Sequence, residues 1–152
     1  MTSHFFYLRA LNKSCMNYWL VKSDPDEYGW EHLAMDKKTD WTGIRNYAAR
    51  NHIRGMKKGD LVLFYHSGEV SSVVALAKVT REAFQDPTTK EDAWSAIELS
   101  AIKPFKEAVS LSTIKATPAL KDMLLVKISR LSAMPVREEE FKKILEMGKT
   151  KP

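Results

Sequence analysis

The order of apolar and polar residues divides the chain into strand-like and helix-like stretches. Tyr18 to Ser23 is dominated by aromatic and aliphatic residues, with Trp19 and Val21 on one face, and reads as a strand. The following "SDPDEYGW" reads as a helix start. Asp24 caps it, Pro25 suits the first helical position, and Glu27 sits where a capping-box acid reaches back. This helix is expected to end by Ala34 or Met35, before the polar "DKKTD". A second helix is predicted over Arg45 to Met56, stopped by Gly59. On its wheel Ala49, Ile53 and Met56 gather on one side, with Arg45 and His52 among them. Asn46, Arg50, Arg54 and Lys57 form a separate stripe.

Strands follow. "DLVLFYHS" and "SSVVALAKVTREAF" flank a turn at Gly68 and predict a hairpin. The turn-rich "QDPTTKED" leads to "AWSAIELSAIKPF", where Ile97, Leu99 and Ala101 alternate with Glu98 and Ser100. Ser110 can cap a short helix that Pro118 interrupts, and Ser129 to Val136 reads as a last strand. The final helix, Arg137 to Met147, puts Phe141, Ile144 and Leu145 on one face. It also pairs Glu138 with Lys142 and Glu139 with Lys143 before stopping at Gly148. No repeat or low-complexity tract interrupts this order. The pattern predicts an α+β domain, a small mixed or barrel-like sheet with helices around its rim.

Length and charge narrow the picture. The 152 residues make one domain, expected over 16–148, with a peripheral extension at 1–15 and a short tail at 149–152. The longest apolar runs, Leu61 to Tyr65 and Val73 to Ala77, are five residues each, too short for a transmembrane helix. A single cysteine, Cys15, leaves no internal disulfide or CxxC zinc site and fits a cytoplasmic protein, one able to associate with a nucleoid. The net charge of +5 falls to +3 without Arg9 and Lys13 of the extension, a balance that permits nucleic-acid binding without requiring it. From Arg45 to Lys58 there are five basic residues and no acid.

Catalytic and cofactor motifs are absent from the sequence. His66 and Ser67 are neighbours on a predicted strand and so face opposite sides, and no G-x-S-x-G elbow, Walker loop or G-x-G-x-x-G occurs. The histidines have no metal-like spacing, and capping accounts for Asp24 and Glu27 without a cation. No metal or cofactor is therefore expected. Aromatic rings beside polar segments stand out instead. Trp41, between "KKTD" and "TGIRN", lies where a packed core position would have apolar neighbours, and such a ring can stack on a flat ligand. Arg50, Arg54 and Lys57 are equally consistent with a solvated helix face and with a phosphate track.

Four blocks, "NYWLVKSDPDEYGW", "WTGIRNYAARN", "KKGDLVLFYHS" and "SRLSAMPV", closely resemble in order and spacing the signature segments of the EVE domain, a member of the PUA-like superfamily. The resemblance spans Met16 to Met147. The chain departs from it at Asp24, where Glu is frequent, and at Gly29, where Ser is common. The resemblance implies a PUA-like pseudo-barrel of mixed strands around a pocket that reads modified nucleobases, comparable to the pocket in which the related YTH domain holds methylated adenine. By position, "KS" (Lys22 and Ser23) followed by Asp24, together with Trp41 and Thr42, corresponds to the pocket's polar edge and stacking tryptophan. Tyr65, His66 and Ser67 correspond to the segment that closes it, with Arg45 and Asn46 nearby.

A flipped base needs stacking and edge hydrogen bonds in return for the few kcal/mol lost on leaving its stack. Trp41 can stack, with Tyr28, Trp30 or Tyr65 as a second wall, and Ser23, Thr42 and Asn46 can meet a base edge. The favoured function is a non-enzymatic reader of a modified base, such as methylated or hydroxymethylated cytosine, in DNA or RNA. A general RNA-binding module without modification preference is the alternative. An enzyme acting on a base or nucleotide ranks last, because no acid–base pair, metal set or nucleophile is identifiable.

Overall fold

Strand β1 (Tyr18–Ser23) lies inside the sheet of the computed structural model, which describes residues 16–152; the expected extension, 1–15, lies outside the described residues. On one side β1 pairs in parallel with β3 (Leu61–His66), and on the other it runs antiparallel to β6 (Ala133–Val136). From β3 the sheet continues antiparallel through β4 (Ser72–Gln85) and β5 (Ser95–Ser110) to the edge strand β2 (Lys38–Trp41). The order β2-β5-β4-β3-β1-β6 places β2 and β6 at the edges among the described residues, and this mixed sheet is not closed into a barrel. The α+β class holds, and register breaks along the β4–β5 ladder let two strands of 14 and 16 residues stay paired.

Several elements differ from the sequence reading; the last strand, for one, is only Ala133–Val136 of the expected Ser129–Val136. The first helix is two: α1 (Pro25–Tyr28), capped by Asp24 through its bond from the Asp26 N–H, and α2 (Trp30–Asp36). Buried Gly29 separates them, and its N–H donates to His32 Nδ1 at 2.9 Å. The polar "KTDW" is the edge strand β2, which propensity disfavours and pairing with β5 enforces.

Helix α3 (Tyr47–Gly55) starts later than predicted because the Asn46 side chain accepts from the Ala49 N–H at 2.9 Å and caps it. Arg45 therefore precedes the helix and is not on its inward face. Ser110 caps α4 (Leu111–Ala116), and Pro118–Leu120 forms a 3₁₀ turn before α5 (Leu124–Lys127). In α6 (Glu138–Met147), Phe141, Ile144 and Leu145 are buried and Glu138 pairs with Lys142 at 3.1 Å. The expected Glu139–Lys143 pair is replaced by Arg137–Glu139 and Lys143–Glu146, both 3.7 Å.

The core runs along the sheet from Leu20 and Val21 through Val62, Leu63 and Phe64 to Leu76, Ile97 and Leu99, all fully buried. Trp19 joins it by donating its indole N–H to buried Asp60 at 2.9 Å. Just past α6, buried Gly148 lies against Phe105, and a Cβ there would come within 3.0 Å of three ring atoms. Gly148→Ala should therefore cost about 1–3 kcal/mol through overpacking. In thermal denaturation the midpoint should fall by roughly 5 °C; an unchanged midpoint would show that the ring moves aside freely.

Candidate nucleic-acid interface

The carboxyl ends of the parallel strands β1 and β3 lie side by side, with Ser23 opposite His66. Beside them opens a cavity of about 510 Å³, within the size range of small-ligand pockets. One wall comes from the end of β1 and from α1, the other from β2 and the loop that follows it. Of the residues expected at the pocket, Lys22, Ser23, Asp24, Tyr28, Trp41, Thr42, Arg45 and Asn46 line it.

Trp41 is half-buried at the end of β2. Its ring meets Phe64 at 77° (5.6 Å between centroids) and Tyr28 at 78° (6.2 Å). Both neighbours approach nearly perpendicular, so among the described residues no aromatic ring lies parallel on Trp41. Tyr28 is the second wall available, braced by a hydrogen bond from its hydroxyl to Asp36 Oδ2 (2.8 Å). Burial, reinforced by the Asp36 carboxylate, raises the Tyr28 pKa, so the phenol stays protonated at neutral pH.

The other four expected residues lie behind the pocket or beside it. Trp30 packs against Phe64, and its backbone N–H donates to His66 Nε2 at 3.0 Å. His66 thus acts as an acceptor that ties α2 to β3, and burial lowers its pKa, favouring the neutral ring that this bond requires. Tyr65 is buried and, with Ser67, borders a separate smaller cavity. The Ser67 N–H donates to the Ser23 carbonyl at 2.9 Å, joining the ends of the two strands.

Several polar groups in the pocket are already engaged. The Ser23 hydroxyl donates to the Tyr28 carbonyl and keeps only acceptor capacity, while the Asn46 carbonyl oxygen is spent on its cap and leaves its amide N–H groups. Thr42 has no side-chain hydrogen bond among the described residues. The most constrained group was absent from the sequence reading. Asp86, fully buried after β4, accepts from the Gly43 N–H (2.9 Å), Arg45 Nη1 (2.9 Å), and the Thr88 N–H (2.7 Å) and hydroxyl (2.6 Å). These bonds outweigh the cost of burial and hold its pKa far below the usual carboxylate range. They fasten the loop after β2 to the β4–β5 connection. Arg45 also donates to Thr88 Oγ1 at 3.0 Å and lies 5.6 Å from the Trp94 ring centre.

The basic stripe is similarly occupied. Arg50 donates to the Ala93 carbonyl (3.1 Å) and covers Tyr47. Arg54 donates to Ser95 Oγ (2.9 Å) and to the carbonyls of Asp92 and Ala93, and Lys57 lies 4.0 Å from Glu82. Arg50 and Arg54 therefore lash α3 to the start of β5. Lys22, which the resemblance places with Ser23 at the polar edge, donates to the Ser129 carbonyl at 2.8 Å, with burial lowering its pKa. The described residues contain no cluster of three or more His, Cys, Asp or Glu able to hold a metal, and no helix among them is long and apolar enough to cross a membrane.

Residues 17–147 match the EVE domain family. Thymocyte nuclear protein 1 of Mus musculus is 35% identical over 92% of this chain and 77% of its own length. A solved protein from Agrobacterium tumefaciens is 40% identical with a TM-score of 0.85, over 88% of this chain and 94% of that one. The human THYN1 protein, solved in complex with DNA containing 5-methylcytosine, superposes with a TM-score of 0.82 at 30% identity, over 90% of this chain and 99% of that one.

Asp86→Asn tests the clamp. At neutral pH it should lower unfolding free energy by about 1.5–3 kcal/mol, the loss of charge-assisted bonds. Because the folded-state pKa lies below the ordinary value of 3.8, the carboxylate's contribution is complete above that value and is lost as pH falls toward the folded one. Urea unfolding at pH 7 and pH 3 should therefore show a gap between wild type and variant that narrows in acid. A gap equal at both pH values would refute the clamp.

Proposed function

The chain belongs to the EVE domain family, and from its pocket we propose that it is a non-catalytic nucleic-acid-binding module that reads a modified cytosine. The observation that carries this reading is Trp41, a half-buried ring with no parallel partner on the wall of a cavity large enough for a base. The human relative bound to DNA containing 5-methylcytosine supports the choice of base and favours DNA as the polymer.

In this reading the base leaves the helix and stacks on Trp41, with Tyr28 as the facing wall. Thr42 and the free amide N–H groups of Asn46 meet its edge. Arg45, already oriented by Asp86, turns its remaining donor capacity toward a base carbonyl or a phosphate. A methyl group filling apolar space adds on the order of 1 kcal/mol. Larger discrimination requires that the plain base leave a group unpaired. Of the basic stripe, Lys57 retains the most freedom to contact a phosphate, whereas Arg50 and Arg54 add positive potential from fixed positions.

Binding is measured with single- and double-stranded oligonucleotides carrying cytosine, 5-methylcytosine, 5-hydroxymethylcytosine or methylated adenine, together with RNA counterparts. Preference for a modified cytosine is expected. Equal binding of every oligonucleotide would favour a general nucleic-acid module. Since base–aromatic stacking is worth about 1–3 kcal/mol, Trp41→Ala should weaken binding of the best ligand roughly tenfold or more. Thermal denaturation of the same variant separates this loss from unfolding. A folded Trp41→Ala protein that binds as well as wild type would remove the pocket from consideration.

A further inference from the structure

The smaller cavity, about 210 Å³, shares Lys22 with the first, since this residue lines both. Lys115, exposed in the last turn of α4, also lines it, with apolar Leu111, Leu125 and Val126 and hydroxyl-bearing Ser67, Ser71 and Ser129. The Ser67 and Ser71 hydroxyls already donate to the carbonyls of Ser23 and Gly68, so the lysines are the main donors left for a ligand. No carboxylate lines this cavity, and neither lysine forms an ion pair among the described residues. The Lys22 ammonium donates to the Ser129 carbonyl, leaving two of its three N–H groups for another acceptor. An anion in a cavity lined by two lysines and no carboxylate would be neutralised by them and would offset the cost of partial burial.

We propose that this second cavity is a phosphate site, in which the phosphodiester next to the recognised base sits between Lys22 and Lys115. The cavity can hold a tetrahedral phosphate with space for part of its sugar. It is built from Lys22 at the end of β1, the turn after β3, and α4, so its position relative to the base pocket is set by the same strand that carries Ser23. The shared lysine makes the two cavities subsites for consecutive groups of one strand. This inference rests on the base-reading function for the identity of its ligand. The anion site itself can be tested without that function.

Two measurements on the intact protein test it, with Lys115→Gln and Lys115→Arg as variants, because Lys115 is exposed and lies outside the base pocket. The first is an NMR titration with inorganic phosphate and with dimethyl phosphate, following the backbone amides of Ser67, Ser71 and residue 115. Saturable shifts confined to this cavity are expected in wild type, abolished in Lys115→Gln and restored in Lys115→Arg. The second is binding of an oligonucleotide containing 5-methylcytosine over a salt series, where Lys115→Gln should reduce the slope of log K against log salt by about 0.7–0.9. Preference among bases should be unchanged.

An oligonucleotide that binds with an unchanged slope, combined with no saturable phosphate shifts, overturns the phosphate site and leaves base reading intact. Phosphate shifts without any oligonucleotide binding overturn base reading and assign the cavity to a free phosphate compound. Phosphate shifts with an unchanged slope in a protein that binds oligonucleotides give the same assignment and overturn the link to the strand. If neither ligand binds, both readings fall.

Discussion

A carboxylate withdrawn from water must be met by donors, and at Asp86 those donors come from two separated stretches of chain. The Gly43 N–H and the Arg45 guanidinium belong to the loop after β2, while Thr88 belongs to the connection between β4 and β5. Satisfying this one group fixes the loop that carries Thr42, Arg45 and Asn46, and through the Asn46 cap it fixes the start of α3. Leaving such a group unpaired costs more than any of its bonds gains singly, which is why an exposed loop here holds one shape. The wall of the pocket is thus set by a residue that does not line it.

Trp41, on the same wall, depends on Phe64. Fully buried in β3, it receives Trp41, Trp30 and His66 at near-perpendicular angles, so the same ring supports a pocket residue and two that stand behind it. The division of labour among the aromatics follows from this packing. Trp41 keeps a side toward the cavity because its strand is at the sheet edge, whereas Trp30 begins a helix that folds back over β3, tied there by its N–H on His66. Preorganisation of this kind lets a pocket meet a flat ligand without first paying side-chain entropy.

Local chemistry made much of this legible in the sequence. The cap at Asp24, the hairpin turning at Gly68, the cap at Ser110 and the apolar face of α6 each rest on residues a few positions apart, where propensity and geometry agree. The pocket residues were recognisable through the family resemblance, since they fall in two continuous segments, one ending β1 and the other following β2. What escaped were long-range dependencies. Asp86 lies about forty residues from Arg45 in the chain, and "KTDW" becomes a strand only because β5 offers a ladder. The wheel that turned Arg45 inward failed because Asn46 started the helix one residue after it, and the basic stripe looked free because the carbonyls it binds belong to a remote turn.

The two outer strands of the described sheet are guarded differently against strand addition: β6 is buried except at Pro135, whereas β2 is exposed at Lys38 and Asp40. Margins of this sort invite other chains to add on and form aggregates. Here each is only four residues long. One carries Lys38 and Asp40 facing outward, and the other carries Pro135, which removes a backbone donor. Because Trp41 stands at the end of one of these margins, the same charges that deter self-association keep a large aromatic surface from becoming an adhesive patch between copies. Replacing them with apolar residues would extend the apolar surface beside Trp41 and favour the addition of strands from other copies there.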